Sequence, residues 1–580
     1  MKVKIYFGPL FLVSIVLAIL LLAACAAPMV PTAPTEAEVA PSENTEAPSA
    51  DTEAPAEAKI VRVHNHSKDL SIGLQPWCSA NFPSSTLVFM NLVHWTDDGE
   101  LSPGLALSWE SNEDATEWTF HLDPQAIFHD GTPVTAAEVK AAYEVGYRLD
   151  IQCSWGGNQG FVMTNVVGSQ DALTNATADS YPDVPGIIAQ DEHTLVFKLT
   201  APDLGFPGGM SNYVSGVFKA DQFKNDHKGW IQQPIGSGPY KIVDMDPPRA
   251  AYRAVRAETW WREPPKIDEI HVVGFAEPQT SLLMYKNDEI DLMLAQRIDL
   301  SQVFGTPLGD EWWPNQYVSN WFTFIMWQDK PPFDDLLVRK AFVHALDYDA
   351  AFNAVFTNYP AAEPHTQALP PNYECYTEKH PWQFDPELAK KELAESSYGG
   401  PEGLPLITLV YGSSDVLPSR LAQIYQKMWE DNLGVKVELA IRQPGDDEIF
   451  KTANIRRMSD GYTQNNANWF LNLWRSDAWG VCGQEGTRAC TRLSGQPLPD
   501  FYVELDEMLT ETSKIARDDP KYCEAWSEVE DVINNNFHWI PGYNLRYGWM
   551  VKPWLRNMSG SYNSEEVPTI MMGTFDVVKE

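Results

Sequence analysis

The chain of 580 residues is too long to fold around one hydrophobic core, so two or three domains are expected. Its formal net charge of −37 argues against nucleic acid and anionic lipid as partners, because both would repel it. Hydrophobic residues make up 44% of the chain, and no long apolar run follows the N-terminal one. The composition therefore indicates a soluble globular protein behind an apolar leader.

The leader has the features of an export signal. Lys2 and Lys4 precede an apolar stretch at residues 7–22. The stretch ends in Leu-Ala-Ala-Cys, which resembles a bacterial lipobox and predicts cleavage before Cys25 and lipidation of its thiol. An ordinary secretory peptide with an incidental cysteine is the alternative.

Residues 25–58 form a low-complexity segment rich in Ala, Pro, Thr and Glu. After Cys25 the segment contains no aromatic residue, and no basic residue occurs before Lys59. Such a sequence cannot bury enough apolar surface to offset the entropy of ordering it. We expect a disordered, extended tether that holds the folded part away from a membrane surface.

Folded structure is predicted from Ile60, where an alternating strand begins. Residues 116–122 alternate and predict a second strand, which a turn at 129–131 follows. Thr135 is a predicted N-cap, and Glu138 three residues later would complete a capping box.

Later segments predict helices and an α/β unit. Residues 386–395 predict a helix, and Asp347 is expected to cap the helix that follows it. A strand at 407–410, a helix at 419–433 and a strand at 435–439 together predict a β-α-β unit.

The exported chain has six further cysteines, an even number that allows disulfides. Six cysteines permit fifteen pairings, and the sequence does not choose among them. Cys482 and Cys490 enclose a short glycine-containing loop and are the favoured pair. None of the spacings is typical of zinc binding, and His64 with His66 lacks an evident third ligand, so no metal or other cofactor is expected. The six cysteines are Cys78, Cys153, Cys375, Cys482, Cys490 and Cys523.

Three separated motifs resemble the family 5 extracellular solute-binding proteins, the dipeptide, oligopeptide and nickel receptors of ABC importers. The first comprises LALSWE at 105–110, FHDGTP at 128–133 and TAAEV at 135–139. The second is GSGPYKIV at 236–243. The third extends from PPFDD to ALD across residues 331–347.

The resemblance implies an α/β protein with the two-lobed type II fold of periplasmic binding proteins and an extra subdomain in lobe one. Lobe one would comprise residues 59–95, the inserted subdomain 96–190, and residues 191–321. Lobe two would comprise residues 322–543, and residues 544–580 would return to lobe one. The leader would comprise residues 1–24.

The resemblance also places a ligand cleft between the lobes. Met90 and Asn91 occupy positions where oligopeptide receptors often carry Glu-Gly, and Trp327 should lie where the chain crosses between lobes. Gln464, Asn465 and Asn466 occupy a cleft segment that is acidic in many family members. Amides suit neutral polar groups better than an ammonium group, and the neighbouring Trp469 could stack on a sugar ring.

The leading hypothesis is therefore a non-enzymatic receptor that delivers a peptide-like solute to an ABC permease. A receptor for an oligosaccharide, a secreted polysaccharide hydrolase and a receptor used for sensing are the alternatives. A lipid-anchored, extracytoplasmic monomer with no nucleic-acid partner is expected. No G-x-S-x-G, H-E-x-x-H or P-loop motif supports catalysis.

Overall fold

The chain is described by a computed structural model in which Met1–Glu57 and Ala58–Glu580 are separate units. The structure describes residues 58–64, 87–96, 100–147, 163, 165–175, 177, 181–211, 215–274, 277–295, 298, 302–314, 320–328, 330–357, 359–371, 373–379, 381–413, 416–443, 449, 452–461, 467–476, 500–546, 548–556 and 576–577. The predicted leader, Cys25 and the body of the tether lie outside these residues. Among the residues described, no helix is both long and apolar enough to cross a lipid bilayer.

Lobe one is built on a seven-stranded mixed sheet. Its strands are β1 (Ile60–His64), β8 (Tyr240–Asp246), β9 (Ala251–Arg256), β10 (Glu269–Val273), β11 (Leu292–Leu294), β12 (Trp312–Pro314) and β19 (Gly548–Val551). Their spatial order is β12-β19-β11-β1-β10-β9-β8. β1 is central and parallel to β10 and β11, which confirms the strand predicted from Ile60. Its Val61 and Val63 alternate into the core, as a strand buried on one face requires.

A smaller sheet of four strands is formed by residues that lie between β1 and β8 in the chain. The antiparallel order is β4-β5-β7-β6, and a two-stranded ribbon, β2 with β3, precedes it. Tyr143 of the adjoining helix α1 packs on Phe197 of β7, with ring centroids 6.1 Å apart. The bounds are β2 (Val93–Trp95), β3 (Leu101–Pro103), β4 (Ala106–Ser111), β5 (Glu117–Leu122), β6 (Ile187–Ala189), β7 (Thr194–Lys198) and α1 (Ala136–Val145).

Lobe two is built on a six-stranded sheet in the order β14-β18-β13-β17-β15-β16. Its strands are β13 (Asn320–Met326), β14 (Ala362–His365), β15 (Ile407–Gly412), β16 (Val437–Arg442), β17 (Ile455–Gly461) and β18 (Trp539–Leu545). β15 and β16 are parallel and flank helix α10 (Val416–Leu433), which confirms the predicted β-α-β unit. The last strand begins two residues later than predicted.

Strand β13 explains why both faces of this sheet are covered. Phe324 faces one layer, where its ring lies 6.1 Å from Tyr425 of α10. Trp321 faces the opposite layer, where its ring lies 6.0 Å from Phe470. Because the strand is apolar on both faces, it needs helices on both sides.

The remaining helices are distributed over both lobes. Helix α9 covers the segment predicted from the sequence, and α8 is capped by Asp347, whose carboxylate accepts a hydrogen bond from the Ala350 amide. The bounds are α2 (Ser169–Thr174), α3 (Phe206–Gly209), α4 (Ala220–Asn225), α5 (His227–Gln232), α6 (Pro278–Lys286), α7 (Leu336–His344), α8 (Tyr348–Phe356), α9 (Pro386–Glu395), α11 (Ala467–Asn472), α12 (Asp500–Thr512) and α13 (Tyr522–Asn535). Short 3-10 turns occupy Pro247–Arg249, Pro307–Glu311 and Pro401–Gly403, and β20 (Leu555–Arg556) pairs with β21 (Asp576–Val577).

The chain passes between the two large sheets twice, from β12 to β13 and from β18 to β19. The second passage is short, because Leu545 ends β18 and Gly548 begins β19. Two adjacent crossings of this kind form a hinge about which two lobes can rotate.

A disulfide joins Cys375 to Cys523 at the start of α13. It is not the pair favoured from the sequence, and Cys482 and Cys490 lie outside the described residues. The pair encloses 148 positions of chain, a separation at which no local motif identifies the partner.

Candidate functional site

The site residues predicted for lobe one are Met90 and Asn91. Met90 is 3% exposed and forms an isolated antiparallel bridge with Val217. The Asn91 side-chain amide is half-buried and donates to the Ser211 carbonyl at 2.6 Å. Its orientation is therefore set by the backbone of the segment that follows α3.

The lobe-two wall is organised by β13 and β17. Asn320 at the start of β13 pairs with Gly461 at the end of β17. The predicted ligand residues Gln464, Asn465 and Asn466 follow directly and lie outside the described residues. Trp469 lies within α11, and its side chain is also outside the described part.

Trp327 lies just beyond β13 and belongs to the same core layer as Trp321. It is 4% exposed, and the Arg456 guanidinium lies over its ring at 4.6 Å from the centroid. A cation in this position is attracted by the electron-rich face of the indole. The structure therefore places Trp327 in a packed core region, and contact with a solute stays a prediction.

Arg457 follows Arg456 in strand β17 and was not selected from the sequence. Its guanidinium lies 5.0 Å from the centroid of the Phe322 ring, which stacks on Tyr543 at 4.7 Å. The half-buried cation lies on the strand that leads into the cleft segment. An adjacent pair of arginines immediately before that segment was the signal available in the sequence.

Asn468, in the first turn of α11, belongs to a cluster of hydrogen-bonded side chains. The Asn472 amide donates to the Asn468 backbone carbonyl at 2.7 Å and to Asn468 Oδ1 at 2.6 Å. The Ser513 hydroxyl also lies 2.9 Å from Asn468 Oδ1. Asn468 was not selected from the sequence, because one partner that orients it, Ser513, lies 45 positions away in the chain.

The segment between β7 and α3 faces this cluster. A Cβ atom placed on Gly205 would lie 3.8 Å from Asn468 Nδ2 and 3.3 Å from Asp203 Oδ1. Burial raises the pKa of the Asp203 carboxyl, and hydrogen bonds from Gly205, Asn165 and Phe206 oppose that shift. Residues of both lobes therefore line one polar region.

The described residues contain no group of three or more His, Cys, Asp or Glu side chains that could hold a metal ion. His64, which was weighed with His66 as a metal pair, has Nε2 2.7 Å from the Ser281 hydroxyl. His64 is buried where the end of β1 meets helix α6, which contains Ser281.

Comparisons with known proteins agree with this architecture. A model of bacterial extracellular solute-binding proteins, family 5 Middle, matches residues 100–481. The periplasmic oligopeptide-binding protein OppA of Escherichia coli K12 is 26% identical over 520 residues, covering 86% of this chain and 89% of OppA. Heme-binding protein A of Haemophilus influenzae is 25% identical over 365 residues, covering 61% of this chain and 64% of that protein.

Solved structures show the same fold. The murein tripeptide binding protein MppA of Escherichia coli has a TM-score of 0.69 at 21% identity, covering 90% of this chain and 99% of MppA. Haemophilus influenzae OppA, solved with the peptide RPPGFSPFR, has a TM-score of 0.66 at 18% identity, covering 90% and 99%. The two-lobed type II fold implied by the sequence motifs is confirmed. The chain therefore belongs to the bacterial extracellular solute-binding proteins of family 5.

Proposed function

We propose that this chain is the extracytoplasmic receptor of an ABC importer that captures a peptide-like solute between its lobes and delivers it to a membrane permease. The similarity to an oligopeptide-binding protein across 86% of the chain carries this proposal. Two sheets joined by two strand crossings form an architecture that closes around a ligand. Since relatives in this family are binding proteins, capture rather than catalysis is the activity proposed.

The binding residues proposed are Asn91 in lobe one and the segment that joins β17 to α11 in lobe two, with Gln464, Asn465 and Asn466. The half-buried Asn91 amide supports the first assignment, since a partly exposed side chain can exchange its partner for a ligand. Met90, Trp327 and Trp469 complete the proposed set. The proposed lobe boundaries remain near 322 and 543, beside the two crossings.

We infer further that the protein is a monomer anchored by lipid on Cys25 and held off the membrane by the tether. The lipobox resemblance and the low-complexity composition of residues 25–58 support this arrangement. Lipidation can be tested by mass spectrometry of the mature N-terminus, where Cys25→Ser would remove the added mass.

An oligosaccharide is the second candidate ligand. Amides replace the acidic residues of the cleft segment, and the described neighbours Asn468, Asn472 and Ser513 continue the neutral polar character. Neutral donors and acceptors suit hydroxyl groups, whereas a peptide ammonium group would prefer a carboxylate.

A thermal-shift comparison of tripeptides, longer peptides and oligosaccharides separates the two candidates. A ligand present at about 100 times its dissociation constant stabilises the protein by about 2.7 kcal/mol, which raises the melting temperature visibly. We expect a shift with peptides, and a smaller shift with Asn91→Ala because that variant loses a cleft amide.

The matched control is Asn353→Ala, which removes an exposed amide on α8 and should respond to peptides like the unmodified chain. A shift with oligosaccharides alone would replace the peptide proposal with the second candidate. No shift with any of these ligands would contradict both.

A further inference from the structure

The orientation of the Asn468 side chain is fixed by its neighbours. The Asn468 backbone carbonyl can accept but not donate, so the Asn472 atom 2.7 Å away must be the amide nitrogen. That same nitrogen lies 2.6 Å from the Asn468 side chain, which must therefore present its oxygen there. Consequently the NH₂ group of Asn468 is directed away from α11.

This NH₂ group is directed at lobe one. Within the described part of the chain, Asn468 Nδ2 donates to no protein atom, and it borders the position that a Gly205 side chain would occupy, 3.8 Å away. Asp203 Oδ1 borders the same position at 3.3 Å. An unused donor of lobe two and a carboxylate of lobe one therefore face a space that exists because residue 205 has no side chain.

The lobe-one side of this space is held rigidly. The backbone N–H of Asp203 donates to the Ala115 carbonyl at 3.0 Å. The backbone carbonyl of Asp203 accepts from Trp118 Nε1 at 2.9 Å. Its carboxylate accepts from Gly205 N at 2.8 Å and from Asn165 Nδ2 at 3.0 Å. Each carboxylate oxygen can accept more than one hydrogen bond, so Oδ1 retains capacity for another donor.

The backbone does not require glycine at position 205. Its φ of −83° and ψ of −8° lie in the right-handed region that any residue adopts. The absence of a side chain matters instead for the approach of the two lobes, because a Cβ at position 205 would contact both the donor and the acceptor.

We propose that Asn468 donates a hydrogen bond to Asp203 across Gly205 and thereby latches the two lobes in the closed form. This inference rests on the proposed receptor function, for which it names the positioning residues that hold the lobes together. A bond from an amide to a carboxylate is charge-assisted and stronger than one between neutral groups. The latch would stabilise closure whatever solute occupies the cleft.

Replacement of the donor tests the latch. Asn468→Asp keeps the shape and the acceptor used by Asn472 but places a carboxylate opposite Asp203, so the lobes should separate. Asn468→Ala removes the donor without adding a charge, so it should separate the lobes less than Asn468→Asp does. Gly205→Val should separate the lobes by filling the space, at no cost in backbone strain.

The readout is the radius of gyration of the purified full chain by small-angle X-ray scattering, first without peptide and then with tri-alanine as the probe. We expect the largest radius without peptide for Asn468→Asp, and a smaller increase over the unmodified chain for Asn468→Ala and Gly205→Val. Where tri-alanine binds, Asn468→Asp should bind it about tenfold more weakly, as loss of one charge-assisted bond implies.

The control is Asn353→Asp, the same chemical change on an exposed residue of α8. Equal radii for the unmodified chain, Asn468→Asp and Asn353→Asp without peptide would overturn the latch, as would a radius of Asn468→Ala equal to that of the unmodified chain. Circular dichroism melting of each variant checks that it is folded. Failure of tri-alanine to bind any variant would count against the peptide proposal and not against the latch.

Discussion

His365 on β14 is a buried histidine that makes the stability of the protein depend on pH. It is 1% exposed, and its ring packs on Trp539 with centroids 4.7 Å apart. Neither ring nitrogen has a hydrogen-bond partner in the described part of the chain, and burial lowers the pKa of His365 to about 3. In the unfolded chain the same group takes up a proton below about pH 6.5.

Stability should therefore fall as the pH drops from about 6.5 towards 3, because the unfolded state gains a proton that the folded state excludes. The loss is about 1.4 kcal/mol per pH unit for one such group, or roughly 2 kcal/mol at pH 5. His538, whose pKa burial also lowers to about 3, adds to the same decline.

We predict that His365→Phe flattens this decline. Phenylalanine keeps the ring contact with Trp539, cannot take up a proton, and removes two unpaired polar atoms, so stability at pH 7 should rise. Urea unfolding at pH 7 and pH 5 should show a difference smaller by roughly 2 kcal/mol than in the unmodified chain. An unchanged difference would show that His365 does not remain neutral in the folded state.

The helix cap at Thr135 shows which local features the sequence predicts well. The Thr135 hydroxyl accepts from the Glu138 amide at 3.3 Å, which confirms the predicted N-cap. The Glu138 carboxylate, however, lies 3.1 Å from Lys219 Nζ rather than completing the capping box. Local spacing identifies the cap, whereas a partner 81 positions away becomes available only through the fold.

At the scale of elements, the Cys375–Cys523 disulfide ties the loop after β14 to the first turn of α13. A nearby network strengthens the same attachment, since the Glu374 carboxylate pairs with Arg517. Closing a loop of 148 residues removes much of the conformational freedom of the unfolded chain. The crosslink should therefore matter more for stability than one within a short loop.

We predict that replacing both cysteines by serine lowers the free energy of unfolding by up to about 5 kcal/mol, the value that the loop-entropy relation gives for this separation. Differential scanning calorimetry without reductant measures the loss. Ser527→Ala, one turn further along α13, breaks no crosslink and should melt like the unmodified chain. Equal melting of the two variants would assign the stability of this attachment to Glu374 and its neighbours.

Sheet order illustrates the limit of prediction for elements. Strand β15 and helix α10 are readable from periodicity, and a β-α-β unit follows from their spacing. The position of β18 between β13 and β14 is not readable, because these strands pair with residues about 180 to 220 positions distant. Such pairings depend on the whole lobe, and the family motifs rather than the strand patterns led to the correct architecture.

At the scale of the whole molecule, the cleft is assembled from residues that are far apart in the chain. Gly205 lies outside the three family motifs. Asn468 follows the predicted ligand residue Asn466 by two positions but was not selected from the sequence, and its proximity to Gly205 requires both lobes to be folded. Fold class was therefore predictable from three motifs, whereas the contacts that control closure were not. The same reasoning directs attention to the strand crossings, where the two lobes are joined covalently.

The strand ends that adjoin the two crossings pair with each other at Pro314 of β12 and Gly548 of β19. A Cβ placed on Gly548 would lie 2.3 Å from Trp312 Nε1 and 2.7 Å from the Trp313 carbonyl oxygen. Both distances are too short for a real contact, so β12 and β19 would have to separate. Because each strand leads directly into one crossing, a separation there would change the hinge as well as the sheet.

We predict that Gly548→Ala lowers the free energy of unfolding by about 2 kcal/mol and alters the change in radius of gyration on closure. Gly309→Ala is the matched control, because its Cβ would lie 3.5 Å from the nearest atom, an ordinary contact. Thermal melting and small-angle scattering of the two variants provide the comparison. Loss of stability with unchanged closure would mean that the crossings bend independently of β12 and β19. Loss of both would mean that the paired strands are the element through which the lobes move.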